Sequence, residues 1–541
     1  MAEIVGNASV VGVHPRRGVR PRVRRRGNPA LPDVSPQGGV ARSRARWQDT
    51  AIALVLFALA FWQNLSDLRL TPFHPDETRW LNRAHYVRDL FDPFGPTWDD
   101  GYLTRGQPPL GSYLMGVGLL AQGRDLTTNG VWDFKLSRKR NTALGNMADR
   151  ADLDAGRRTN AFVGALSVVV VYFLVKRLSN RVGGVAAALF LAAHPLMIYL
   201  SSQAVSDALL FLLVALAALA ACRLADRPGW SRMAVLGILL GLGGATKLTP
   251  LLLALPLGGL GGLLVARTYA RRRGLLPSLL GPPAESGRSL DERLGRMLLA
   301  LPVVALATFI VVYPYLWPDP IGRTVNLFAF RTEEMQRQGN NWPNVAVESR
   351  AEAMRRVGVT LGARFTTTGR LGAKLAHGLG REWQPRGIDL PFAVVGAEVL
   401  LALTVWRGLA SRYALAAIVL GGQAGAVVLG MRSDWARYHL PVLLVVATCI
   451  GLLAGQLWSL ASRPVVLGFL RQAVYRGLDR LVPGETASLD RRPSQGTPGA
   501  GWEPLGSSGL VAARPSQGSG RAGSAASRRT PSPRSWRLLS R

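Results

Sequence analysis

Residues 207–223 read DALLFLLVALAALAACR, a run without a charge between Asp207 and Arg223. As a helix rising about 1.5 Å per residue, such a block crosses most of the roughly 30 Å hydrocarbon core of a bilayer. Alone it would also suit a buried core helix. The chain repeats it: apolar blocks of roughly 16 to 22 residues, rich in Leu, Val, Ala and Gly, recur about ten times. They lie at about 50–68, 160–174, up to 200, 207 to before 223, 233–246, 250–266, 297–313, up to 407, 413–431 and 440–460. The expected fold class is an all-α integral membrane protein of about ten transmembrane helices. Two long external regions, about 70–157 and 318–389, carry interfacial helices.

Composition agrees. The chain has 541 residues, 48% of them hydrophobic, and a mean hydropathy of +0.16. A soluble chain of this length would be more polar and would divide into several domains. The formal net charge is +32, a balance also met in nucleic-acid binders. Here the cations occupy the two ends and alternate short loops, among them Lys176, Arg177, Arg181, Arg223, Arg227, Arg271, Arg272 and Arg273. That is the positive-inside pattern, so membrane lipid is the expected partner and nucleic acid is not.

With ten spans both termini fall on one side, read as the cytoplasmic side of a bacterial inner membrane. Residues 1–48, with the run Arg16 to Arg26, are expected to form a disordered basic arm, and 49–462 the membrane domain. Residues 463–541 are expected to form a basic, mostly disordered tail that opens with a short amphipathic stretch, 467–481. The composition of the tail cannot bury enough apolar surface to fold. Cys222 and Cys449 both fall in apolar blocks. They read as packing residues, without a disulfide framework.

Candidate chemistry lies on the outer side. The first external region opens Thr71-Pro72-Phe73-His74-Pro75-Asp76-Glu77. The prolines disfavour helix before them, so a helix is expected to start near Asp76. An amphipathic surface helix is expected over 79–91. A carboxylate there can serve as general base on an acceptor hydroxyl or amine. The same pair can equally be the acidic first turn of a capped helix.

Farther on, Asp99 and Asp100 are either solvated loop acids or a cation site. Arg105, before Gln107-Pro108-Pro109, is either a phosphate ligand or a plain interfacial anchor. Asp207 opens the fourth block from the outer side. Lys247 lies between two short apolar blocks on a face otherwise poor in cations, where it either meets a phosphate or snorkels. Arg437-Tyr438-His439 precedes the last block. A guanidinium there can hold phosphate with two parallel bonds, or belong with Trp435 and Tyr438 to an interfacial belt. No His/Cys/Asp spacing matches a zinc site.

The ordered set is specific where its members are not. An acidic pair after the first span is followed by Pro-Pro-Leu-Gly, Arg158 at the second span, Ser206-Asp207 and Thr246-Lys247. Pro314-Tyr315-Leu316-Trp317 and Arg437-Tyr438-His439-Leu440-Pro441 complete it. This order resembles the polyprenyl-phosphate-dependent glycosyltransferases of the C-type membrane fold, including protein O-mannosyltransferases and lipid A aminoarabinose transferases. The resemblance covers about 51–460.

It implies a sugar moved from a polyprenyl-phosphate donor to a protein, lipid or surface polysaccharide at the outer face. It also implies Asp76 as catalytic base with Glu77 as its neighbour, and Arg105, Lys247 and Arg437 on the donor phosphate. Asp207, Arg158, Tyr438 and His74 are supporting residues. No cofactor is required, and a divalent cation is compatible. Two departures stand out: Gln107 replaces a His or Lys common before the Pro-Pro pair, and 124–154 reads as an insertion that shapes acceptor choice. The rival reading is a multi-span transporter or lipid flippase, which would lack two long external regions and would show internal repeats with broken helices. A noncatalytic scaffold using its basic ends is the third.

Overall fold

A computed structural model describes residues 36–68, 70–273, 285–381 and 387–463. The arginine run of the arm, the amphipathic stretch 467–481 and the tail lie outside the described residues. Among the described residues the architecture is helical, and the sole β-type pairing is an isolated bridge between Ala346 and Ser433.

Among the described residues, eight helices are long and apolar enough to cross a membrane. They include α1 (Pro36–Ser66), α2 (Arg150–Leu178), α3 (Asp207–Asp226), α4 (Asp389–Arg407) and α5 (Leu440–Ala461). The other two blocks expected to span take different forms. Residues 181–201 form two helices, Arg181–Ala193 and Pro195–Ser201, bent by 64° at the break. The block near 240 is a shorter helix, Trp230–Gly244.

The bend breaks the apolar block expected to run straight up to 200. Its cause is local. Pro195 cannot donate to the preceding turn, and His194 caps the new helix by accepting from the Leu196 N–H at 3.3 Å.

Burial orders the layers. The apolar window of α3 is 83% buried and that of α1 only 17%, so α3 is central and α1 peripheral. α2 packs on α1 and α3, and α5 packs on Arg181–Ala193 and on α4. Gly451 and Gly455 of α5, four residues apart, face Gly183, and a Cβ on Gly183 would come within 2.5 Å of the Gly451 carbonyl oxygen. Small residues at this spacing let membrane helices approach closely.

The two long polar regions hold shorter helices that pack at the ends of α2, α3 and α5. The expected surface helix over 79–91 is instead broken. A helix Pro75–Asn82 ends in a 3-10 turn, Arg83–His85, and a short helix Tyr86–Asp89 follows. Trp80, Leu81, Ala84 and Tyr86 are buried. They pack on the helix Leu110–Leu120, where a Cβ on Gly111 would meet Trp80 at 2.5 Å and Ser206 at 2.6 Å. The glycine of the Pro-Pro-Leu-Gly motif is thus the point of closest approach. The second external region holds α6 (Pro320–Asn341), then Arg350–Val359 and Thr367–Gly378.

A candidate active site above the membrane helices

The two adjacent carboxylates of the first external region have different surroundings. The helix Pro75–Asn82 begins with a capping box. His74 Nδ1 accepts from the Asp76 N–H at 3.1 Å, and the His74 N–H donates to Glu77 Oε2 at 2.9 Å. Glu77 is fully buried and held on both oxygens. Arg157 of α2 donates to it through Nε at 2.7 Å and Nη2 at 2.8 Å, and the Ala204 N–H reaches Oε1 at 2.9 Å. Arg157 also donates through Nη1 to the Leu68 and Thr71 carbonyl oxygens. The Glu77 carboxylate thus accepts four hydrogen bonds, two on each oxygen, and joins the segment after α1 to α2.

Asp76 turns the other way, 100° round the helix, and lies on a cavity of about 290 Å³. Its carboxylate forms an ion pair with Arg437. Arg437 lies over the Tyr438 ring, 5.6 Å from its centroid. Lys247 lies 5.8 Å from the same ring, and its ammonium is bound to Asp207 at 2.5 Å. His74, Asp76, Asp207, Lys247, Arg437 and Tyr438 thus form one cluster.

Two expected residues stand elsewhere. Arg158 is exposed and donates to Gln122 at 2.8 Å, whereas its neighbour Arg157 carries the buried pair. Arg105 faces Asp100 at 3.1 Å and the Phe330 ring at 5.2 Å, away from the cavity lining. Asp100 is tied to Arg105 and to the Tyr315 hydroxyl. Among the described residues no three His, Cys, Asp or Glu side chains gather where they could hold a metal ion.

In place of Arg105, three other arginines line the cavity: Arg79, Arg83 and Arg331. Arg83 is 2% exposed, and its partners are neutral acceptors: Gln107 Oε1 at 2.6 Å, and the Arg79 and Leu103 carbonyl oxygens. Arg331 donates to the Gly106 carbonyl oxygen at 2.9 Å. Arg79 donates to the Tyr102 hydroxyl and the Trp132 carbonyl oxygen, and lies over the Phe134 ring. Among the described residues none of the three has a carboxylate within ion-pair distance. Gln107, the departure from the expected His or Lys, thus orients a buried guanidinium. The sequence reading missed all three, and the one local signal is that Arg79 and Arg83 stand one helical turn apart.

Segment 124–154 and the segment before α5 complete the walls. Asn129 donates to the Thr78 carbonyl oxygen at 3.1 Å, and Asn82 donates to the Asn129 carbonyl oxygen at 2.6 Å. This docking brings Phe134 to the cavity. Asp434 accepts from His439 at 2.6 Å and pairs with Arg356 at 3.4 Å. Together with the Ala346–Ser433 bridge these contacts hold the strand of chain that carries Arg437.

Burial, with the nearby positive charge of Arg437, pushes the His74 pKa down to about 4. His74 is therefore neutral at pH 7, as a cap that accepts through Nδ1 requires. The unfolded chain binds this proton more tightly than the folded one, so stability falls as pH drops from about 6.5 to about 4 and is unaffected above. A His74→Asn variant keeps a capping side chain. Its melting temperature is expected to fall less steeply than the wild type's across that window, and parallel curves would disprove the assignment.

Residues 149–278 match the family model of dolichyl-phosphate-mannose-protein mannosyltransferase. The matched segment contains Arg157, Asp207 and Lys247. No curated protein matches the chain.

Among solved structures, the chain is similar to the Archaeoglobus fulgidus oligosaccharyltransferase tethered with an acceptor peptide. The identity is 13% and the TM-score 0.39, over 74% of this chain and 49% of that one. It is also similar to the archaeal oligosaccharyltransferase AglB from Archaeoglobus fulgidus with an inhibitory peptide and a dolichol-phosphate, at 12% identity and TM-score 0.39, over 82% and 53%. A third is ArnT from Cupriavidus metallidurans bound to undecaprenyl phosphate, at 17% identity and TM-score 0.38, over 83% and 65%. The chain spans about half the length of the first two.

Proposed function

We propose that this chain is a membrane glycosyltransferase that moves a sugar from a polyprenyl-phosphate donor to an acceptor at the outer face of a bacterial inner membrane, with both termini cytoplasmic. The observation that carries the reading is the cavity itself. Three arginines that have no acidic partner among the described residues, one of them almost fully buried, face a single cavity whose wall carries the carboxylates of Asp76 and Glu334. A buried cation without a counter-charge is costly, and a phosphate supplies the missing charge with matching geometry. The mannosyltransferase family match over 149–278 agrees with this donor class.

The residues then have distinct tasks. Arg79, Arg83 and Arg331 bind the donor phosphate, and Arg437 moves from Asp76 to that phosphate as the donor arrives. Asp76, freed, takes the proton of the acceptor hydroxyl or amine. The acceptor oxygen or nitrogen bonds to the anomeric carbon, and the bond from that carbon to the phosphate oxygen breaks. The charge that develops on the leaving phosphate rests on guanidinium groups already in place. Lys247, neutralised by Asp207, supports the ring of Tyr438 beneath Arg437. The insertion walls the side from which the acceptor comes.

Purified protein offered a panel of lipid-phosphate sugars should turn over at least one of them. The absence of turnover and of binding across polyprenyl-phosphate donors would sink the reading. Arg331→Gln, at a half-buried position the fold tolerates, should weaken binding of a polyprenyl phosphate about tenfold to a hundredfold, the scale of a lost charged hydrogen bond. Unchanged binding in this variant and in Arg79→Gln would remove both from the phosphate site.

A further inference from the structure

One end of the cavity has no task in that scheme. Arg331, Glu334 and Gln338 lie on one face of α6, and Trp342 caps its end. At about 1.5 Å per residue, Gln338 lies roughly 10 Å and Trp342 roughly 16 Å along the axis from Arg331. Trp342 meets Trp435 edge to face, with ring centroids 5.9 Å apart, and both line the cavity. The Trp435 Nε1 is buried and has no hydrogen-bond partner among the described residues. Gln338 accepts from the Tyr438 hydroxyl at 3.4 Å, which sets the Asp76–Arg437 pair beside the middle of this ladder. Glu334 has the Tyr102 hydroxyl as its partner at 3.3 Å.

Resting on the donor class proposed above, we propose that Trp342, Trp435 and Gln338, with Glu334 beside them, are the subsite for the sugar ring of the donor. The phosphate at the arginine end puts the anomeric carbon near Asp76, and the ring extends toward the indoles. A pyranose has an apolar C–H face and a rim of hydroxyls. Indole rings supply flat apolar contact with a polar edge, and the amide and carboxylate converge on the rim. A polyprenyl tail would require an unbroken apolar wall, because Gln338, Glu334 and an unpaired indole N–H would be stranded against it. The alternation of rings and polar groups suits a hydroxylated ring.

The test compares two ligands on the purified full-length protein in detergent: a short-chain polyprenyl phosphate, and the same lipid carrying mannose or glucose. Trp342 is 41% exposed, so Trp342→Ala leaves the fold intact. Trp435→Phe keeps a ring and removes the N–H. Both variants should weaken the sugar-bearing lipid about fivefold to tenfold and leave the sugar-free lipid within about twofold. Arg331→Gln should weaken both lipids alike. Equal losses for both lipids in the Trp variants, or no loss for either, would overturn the subsite while the donor class stands. A wild-type protein that binds neither lipid would overturn the donor class and the subsite with it.

Discussion

Asp76→Asn is expected to lower sugar transfer by about a hundredfold to ten-thousandfold, the usual contribution of a general base, while the chain still folds and still binds donor. The fold is spared because the cap at this turn uses the backbone N–H of Asp76 and the side chain of Glu77, not the Asp76 carboxylate. Donor binding is spared because the substitution frees Arg437 from its ion pair, which leaves one more guanidinium for the phosphate. The loss should therefore appear in kcat, with KM for the donor unchanged or lower. Transfer within tenfold of the wild type in both Asp76→Asn and Glu77→Gln would end the catalytic assignment.

The second large effect is on stability. Arg157→Leu should destabilise the protein by about 3–5 kcal/mol, because it strands the buried Glu77 carboxylate without its counter-charge. The side chains are 1% and 0% exposed, so solvent cannot stand in for the lost partner. Neutralising both at once, with Arg157→Leu and Glu77→Leu, should recover part of that loss, since no charge is then left buried. Thermal melting in detergent reads both. A single variant that melts with the wild type would show that the pair is not a structural anchor. Activity read from Arg157→Leu must be normalised to folded protein, because the same link holds the helix that carries Asp76.

Much of the site was legible along the chain, but as pairs of alternatives. The Asp76-Glu77 dyad after the first span read either as a base or as the acidic turn of a cap, and the structure separates the two residues: Asp76 lies on the cavity and Glu77 in the cap. Arg158 was the cation read at the start of the second span, but it is exposed on Gln122, and the buried pair belongs to its neighbour Arg157. Arg437, Lys247 and Asp207 gather in one cluster as their place at the outer ends of spans implied. Arg105 does not join them, because its helix turns it toward Asp100. Arg331 carried no signal, since nothing local distinguishes it from the other charges of a long polar region.

The physical division is between length and phase. Block length and apolar content are sums along the chain, and they determined by themselves that this protein spans a membrane many times. Which way a given side chain points is a matter of helical phase, and one residue step turns it by 100°. That phase is set by contacts between distant segments: Trp80 against Gly111, Glu77 against Arg157, the Ala346–Ser433 bridge. Only the tertiary structure could therefore decide which carboxylate faces the cavity and which arginines meet it there.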